Sequence, residues 1–409
     1  MRLLLPSALL LATLGPHLSY AVKIHADFEG GSIGRVEKVS EHHFRIAVKG
    51  ESDQNRRNRQ GSWYYFEVQD APLAELTFDI VDLRGEYNFR PNNGAITGET
   101  PPLISYDGKS WVHVSNVEYD REEPKLRLRI KPASSRFRIA HTPPYTNEHL
   151  ASLRRSILKH RDVRETVIGK SVGGRDLYLW TITSNQAGGH RKVVWLMFRQ
   201  HSWESGSSWV GEGLVRALLS PEMEDLRKRF IWKIHPFCDP DGVARGGVRF
   251  NANGYDLNRN WDAIDPRLMP EIAAQHKAIA EWLKAGNRID LFLSLHNTET
   301  SEYLEGPPGG EKRPEIQRLA ERFFQQLVET TSFDPSRPLF YSGATTTEGM
   351  KGRMTVVQGL HRDFQIPAFL MEQRIAKGRK SGKLPNIPDR LEFGRQLALA
   401  IARTLQAAP

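Results

Sequence analysis

Three apolar runs in the second half of this 409-residue chain each finish on a residue that can bind a metal or move a proton. KVVWLMFRQ (192–200) leads directly into His201, IDLFLSLHN (289–297) carries His296 at its end, and IPAFLMEQR (366–374) carries Glu372. Runs this short and this continuously apolar read as buried strands. Helical patterns lie between them. They are SSWVGEGLVRALLS, PEIAAQHKAIAEWLKAG with Pro270 in its first turn and Gly286 near its end, and RPEIQRLAERFFQQLVETT. A further strand over FIWKIHPF and a closing helix over PDRLEFGRQLALAIARTLQ complete the alternation, which predicts an α/β fold from about residue 145. Open α/β sheets bind ligands beyond the carboxyl ends of their strands. A polar strand cap would account for any one of the three residues; together they point to a site.

Residues 22 to about 140 have another rhythm. HFRIAVKG, SWYYFEVQ, AELTFDIVD, KSWVHVSNVEY, KLRLRIKP and SRFRIAH are short and rich in β-branched and aromatic residues. Polar, Gly or Pro-containing stretches separate them, which predicts a small β-sandwich. HTPPYTNEHL forms the boundary, because Pro143 and Pro144 hold the chain extended before a helix beginning near Asn147. The predicted domains are therefore 22–140 and 145–409, in keeping with a length too great for one ordinary core.

The first twenty-one residues stand apart. Arg2, the apolar run LLLPSALLLATLG, and Ser19 and Ala21 at small-residue positions predict a signal peptide spanning 1–21. Cleavage near Ala21 would leave a secreted or periplasmic chain starting at Val22. The run is short and interrupted by Pro6 and Pro16, so no stable membrane insertion is expected. The net charge of +9 comes with no nucleic-acid-binding motif and is read as a basic, solvated surface. A single cysteine, Cys238, excludes both an internal disulfide framework and a cysteine-rich metal site.

The metal chemistry has two candidate sources. RQHSWESG (199–206) spaces His201 and Glu204 three apart, and SLHNTETSEY repeats the spacing with His296 and Glu299. Catalytic zinc commonly takes three protein ligands, two His and a Glu among the known sets, and keeps a fourth position open. His201 and Glu204 with His296 satisfy this, and so do His296 and Glu299 with His201; spacing does not choose. Between them lies DPDGVARGGVRFNANGYDLNRNWD (239–262), dense in Gly, Asn and Arg just after a strand. Arg249 and Arg259 there can grip a carboxylate or a carbonyl oxygen, and Asn258 adds a directional donor. A glycine-rich connector with solvated arginines is the plainer reading of the same segment.

HSWE, DPDGV, then R-x4-G-x-DLNRNW, a His at the end of an apolar strand, and a late Glu in the last strand together resemble the zinc metallocarboxypeptidases. GSWYYFEVQ, PLISYDGKSW and TPPYTNEHL are similar to the β-domain and linker of the cytosolic-type members, relatives of enzymes that trim glutamates from tubulin tails. The resemblance runs from about residue 24 to 400. It implies a mixed-sheet α/β catalytic domain behind a smaller all-β sandwich, and one Zn2+ per chain held by His201, Glu204 and His296. It further implies Glu372 as general base and acid, Arg249 polarising the scissile carbonyl, and Asn258 with Arg259 clamping the terminal carboxylate of a peptide. Glu299 then becomes an ordinary loop acid. Four positions depart from the pattern or test it. Cys238 precedes an Asp where the family often has Asn, Asn297-Thr298-Glu299 stands for Gly-His-Ser, Phe369 replaces a Tyr, and Tyr341 is the candidate for a substrate-covering Tyr.

The function expected is hydrolysis of the last peptide bond of peptides or proteins. A preference for acidic C-terminal residues is supported by basic residues such as Arg353 and Arg374. The alternatives are a zinc amidase or deacylase acting on acylated amino acids or cell-wall peptides, and a catalytically dead peptide-binding module. The second requires a lost ligand or base, and every one of those positions is filled by a competent residue.

Overall fold

The computed structural model describes residues 21–87, 89–92, 96–185 and 189–406. The expected signal peptide, apart from Ala21, lies outside them.

The amino-terminal part is a sandwich of two five-stranded sheets. One runs Lys23–His25, Tyr65–Gln69, Phe137–Ala140, Leu103–Ser105, Val112–His113; the other runs Val117–Asp120, Lys125–Ile130, Leu76–Val81, His43–Ala47, Val36–Ser40. Lys125–Ile130 buries alternate residues, Leu126, Leu128 and Ile130, as a strand with one face on a core must. Phe66 of the first sheet meets Phe78 of the second at 6.4 Å between ring centroids, and Phe137 meets Phe78 edge-on at 6.3 Å. A small four-stranded sheet, Glu51–Ser52, Arg59–Gln60, Gly85–Tyr87 and Arg90–Asn92, projects from this unit.

The second part is built on eight strands. They are β1 (Val163–Lys170), β2 (Asp176–Ile182), β3 (Lys192–Phe198), β4 (Phe230–His235), β5 (Leu291–Thr298), β6 (Tyr303–Gly306), β7 (Phe340–Tyr341) and β8 (Ala368–Arg374), in the order β1-β2-β4-β3-β5-β8-β6-β7. The central four, β4-β3-β5-β8, are parallel, while β1, β2 and β6 join antiparallel, so the sheet is mixed. The apolar runs are continuous because both faces are covered. Along β3, Val194, Leu196 and Phe198 enter one core, and Val193, Trp195 and Met197 enter the other.

The longer helices are α1 (Asn147–Ile157), α2 (Ser205–Leu218), α3 (Pro270–Lys284), α4 (Pro314–Thr330), α5 (Val356–Phe364) and α6 (Ile387–Gln406). Val210 and Leu214 of α2 share the first core with Leu397 and Ile401 of α6, and Ile272 of α3 shares the second with Leu360 of α5. Gly213 and Gly394 let α2 and α6 cross closely, since a Cβ at Gly213 would stand 2.1 Å from the Leu391 carbonyl oxygen. Five of these elements escape the sequence pattern: the antiparallel pair β1–β2, the short strands β6 and β7, and the short helix α5.

The two parts meet through a shared apolar cluster containing Trp63, Leu103 and Trp111 of the sandwich and Trp203, Val248 and Ile375 of the second part. Trp203 belongs to the HSWE segment, so the sandwich packs directly behind the candidate metal ligands.

Candidate active site

The chain leaves β3 through Arg199, whose φ of 62° is left-handed and costly for a residue with a Cβ. Its buried guanidinium secures the turn. Nε and Nη2 donate to the Ser202 carbonyl at 2.9 and 2.6 Å, and Nη1 donates to Ser208 Oγ at 3.0 Å. Burial, with no carboxylate bonded to it, pulls the Arg199 pKa down to about 9. The turn sets His201 Nδ1 2.6 Å from Glu204 Oε1, and β5 brings His296 Nδ1 to 3.0 Å from Glu204 Oε2. All three residues are buried, and their ligand atoms lie within 4.8 Å of one another. Among the described residues no other group of His, Cys, Asp or Glu side chains is gathered this way.

A cation fits this group. Glu204 Oε2 and His296 Nδ1 are buried and face each other at 3.0 Å without hydrogen-bond geometry, which is costly unless a metal completes them. The far nitrogen of each imidazole is already engaged. His201 Nε2 lies 3.1 Å from Asp256 Oδ1, and His296 Nε2 lies 2.8 Å from Gln200 Oε1 and 3.0 Å from Ser294 Oγ. Such partners fix the tautomer and leave each Nδ1 lone pair for a metal. Two imidazoles and a carboxylate suit zinc. Glu204 reaches both imidazoles, whereas Glu299 is not in the group. Burial raises the Glu299 carboxyl above its ordinary value, and the Glu204 charge adds to this while Arg249 opposes it.

Glu372 stands opposite His296 in the parallel ladder of β5 and β8. Burial, and then the Glu204 carboxylate, raise its pKa well above the ordinary carboxylate value, with Arg249 pulling the other way. Its Oε2 is buried and unpartnered. Arg249 donates through Nε to Asp256 Oδ2 at 2.7 Å. Its two terminal nitrogens make no hydrogen bond among the described residues. Asn258 Oδ1 accepts from the Val356 backbone at 3.0 Å, which turns the amide nitrogen outward as a free donor. Arg259 donates to the Asn258 carbonyl at 2.7 Å, and burial lowers its pKa. With Arg249, Arg353, Lys351 and Arg57 it lines a groove of about 320 Å³ between the two parts of the chain.

Several positions differ from expectation. Arg374 does not face the groove. It is buried beside Glu302 at 3.5 Å and Asp334 at 3.9 Å and donates to Ser336 Oγ at 3.1 Å, so these partners hold it away from the groove. Tyr341 lies on the sheet edge, paired with Gly306, and its surroundings include Glu311 and Glu321 rather than the metal group. The tyrosine beside Glu372 is Tyr303, opposite it in the antiparallel β6–β8 pair and stacked by the Arg337 guanidinium at 3.9 Å. Asp256 of DLNRNW, to which the sequence pattern assigns no role, joins His201 to Arg249. Burial alone would raise its pKa, yet Arg249 and His201 hold it well below the usual range. A carboxylate two residues before Asn258 was the available signal, since metal-bound imidazoles favour such a partner. The departures also find uses. Asn297 accepts from Ser207 N at 2.8 Å and donates to the Gln373 carbonyl at 3.1 Å, tying α2 to β8. Cys238 is a buried apolar filler that accepts from Gln275 at 3.3 Å.

Residues 150–334 match the zinc carboxypeptidase family, and residues 24–141 match the cytosolic carboxypeptidase N-terminal domain. The chain thus carries a zinc carboxypeptidase domain behind a cytosolic carboxypeptidase N-terminal domain. It is 31% identical over 296 residues to cytosolic carboxypeptidase 6 from Mus musculus, which covers 67% of this chain and 53% of that protein. The chain thus spans about half the length of that relative. A metallo-carboxypeptidase from Burkholderia cenocepacia shares the fold with a TM-score of 0.80 at 21% identity, covering 94% of this chain and 99% of the other. A metallo-carboxypeptidase from Pseudomonas aeruginosa, in complex with (2-guanidinoethylmercapto)succinic acid, gives a TM-score of 0.79 at 25% identity, with coverage of 94% and 99%.

Proposed function

We propose that this chain hydrolyses the C-terminal peptide bond of peptides or proteins, with His201, Glu204 and His296 holding the zinc. The observation that carries the reading is the meeting of Glu204 with His201 at 2.6 Å and His296 at 3.0 Å, with the buried, unpartnered Glu372 Oε2 on the strand position opposite His296. Zinc bound there supplies Lewis acidity to the carbonyl and makes a water acidic enough to attack near neutral pH. Glu372 takes the proton of that attacking water and passes it to the departing amine; its raised pKa suits both halves of the task. The free nitrogens of Arg249 stabilise the carbonyl oxygen as it gains negative charge, a contact typically worth about 3 kcal/mol. The outward amide of Asn258 and the Arg259 guanidinium grip the terminal carboxylate, which confines cleavage to the last bond.

The same proposal extends to acidic tails. The groove beside Arg249 gathers Arg57, Arg259, Lys351 and Arg353, while its acids Asp53 and Asp256 are already engaged by Asn58 and Arg249. Release of single residues from peptides ending in Glu, Leu and Lys tests both levels. Glu released fastest is the expected result. Preference for Leu or Lys would remove the acidic assignment, and cleavage only within the peptide would remove the carboxypeptidase. The sequence of the first residues also supports export, and N-terminal sequencing of the mature protein should begin near Val22. A retained Met1 would contradict it.

A further inference from the structure

We infer that Glu51, which belongs to the sandwich part of the chain, is a positioning residue that sets Arg249. The inference rests on the reading of Arg249 as the group facing the substrate carbonyl. Glu51 Oε2 accepts three consecutive backbone N–H groups, from Val248 at 2.9 Å, Arg249 at 2.6 Å and Phe250 at 2.8 Å. Its other oxygen accepts from Arg245 Nη2 at 2.5 Å, and Arg245 also donates to the Phe250 carbonyl. Hydrogen bonds to an ionised acceptor are roughly twice as strong as neutral ones. Three in succession fix the backbone on both sides of Arg249.

No acceptor inside the loop takes these three amides among the described residues. Glu51 sits 197 residues before Val248 in sequence and reaches it from the two-residue strand Glu51–Ser52, paired with Arg59–Gln60. On its other side the loop is tied to the HSWE turn, where Trp203 N donates to the Val248 carbonyl at 3.1 Å. Arg249 then reaches Asp256, and Asp256 reaches His201. Glu51 touches neither the metal group nor the groove's far wall. Removing it strands the buried amides of Val248 and Phe250 and lets the guanidinium shift against Glu372. A misplacement of about 1 Å is enough to cost about 100-fold in rate. The sandwich part thereby takes a share in the chemistry that its own side chains do not perform.

The test is a cycle of Glu51→Ala, Arg249→Ala and the double variant, read by kcat, KM and amide hydrogen exchange. Glu51→Ala should lower kcat roughly 10- to 100-fold with KM within about threefold. The double variant should fall no further than Arg249→Ala alone, since both remove one function. Glu51→Gln keeps an oxygen acceptor and should retain more activity than Glu51→Ala. Exchange at the amides of residues 248–250 should accelerate in Glu51→Ala and stay slow in Arg249→Ala. Losses that multiply in the double variant, or unchanged exchange in Glu51→Ala, would overturn the inference. A wild type that releases no C-terminal residue would refute the carboxypeptidase reading instead, and the exchange result would then decide the role of Glu51 alone.

Discussion

Replacing Asp256 by Asn probes the site at its most connected point. Asp256 Oδ1 faces His201 Nε2 at 3.1 Å and accepts from Asn258 N at 2.9 Å, while Oδ2 accepts from Arg249 Nε at 2.7 Å. All three groups are donors when His201 offers Nδ1 to zinc. An Asn side chain has one oxygen and one NH2, so either orientation turns N–H toward N–H on at least one side. A buried donor left without its acceptor costs about 1–3 kcal/mol, and more where the group is charged. Facing Arg249, the amide would release the guanidinium proposed to polarise the carbonyl; facing His201, it would free the imidazole to rotate or change tautomer. Losing such a partner typically weakens metal affinity about 10- to 100-fold. Asp256→Asn should therefore raise the zinc dissociation constant, measured by chelator competition, by that factor, and lower kcat by at least as much. A zinc affinity within twofold of wild type together with an unchanged kcat would refute the reasoning.

Removing zinc with a chelator should abolish turnover and lower the unfolding temperature by about 5 °C, because ligand at about 1,000 times its dissociation constant adds about 4 kcal/mol. A shift under about 2 °C in differential scanning calorimetry would contradict the metal group. Acid sensitivity should be traceable to His141, which is buried, stacked on Trp203 at 5.9 Å and depressed by that burial to a pKa of about 4. Between its unfolded value near 6.5 and about 4 the unfolded chain binds a proton that the native chain refuses, so stability falls as pH falls through this window, by about 3 kcal/mol in all. Denaturant unfolding at pH 7 and pH 4 should show that loss shrinking in His141→Gln; an identical pH dependence would exclude this origin. His235, also about 4, should keep its own share of the acid sensitivity in that variant.

The sheet was readable because β3, β5 and β8 are buried on both faces and so appear as nearly continuous apolar runs. β1 and β2 were not, since their mixed exposure leaves no such run. KSWVHVSNVEY reads as one strand but divides between the two sheets of the sandwich, with Val112–His113 pairing to Leu103–Ser105 and Val117–Asp120 to Lys125–Ile130. That division depends on distant partners, which local pattern does not encode. In the site, residues at strand ends announced themselves by position. Tyr303 sits on a four-residue strand next to the sheet edge that local composition does not separate from a loop. Glu51 lies in the polar stretch GESDQNRRNRQG, where one more acid carries no signal until the fold brings it to the Arg249 loop.

The central claim is that the unpartnered Glu372 carboxylate does the proton work beside the His201, Glu204 and His296 group. The direct measurement is C-terminal residue release, followed by mass spectrometry, for wild type and Glu372→Gln matched for zinc content. The account predicts single-residue release by the wild type and a fall of at least about 1,000-fold in Glu372→Gln with one zinc per chain retained. Release by Glu372→Gln at a rate near wild type would contradict it.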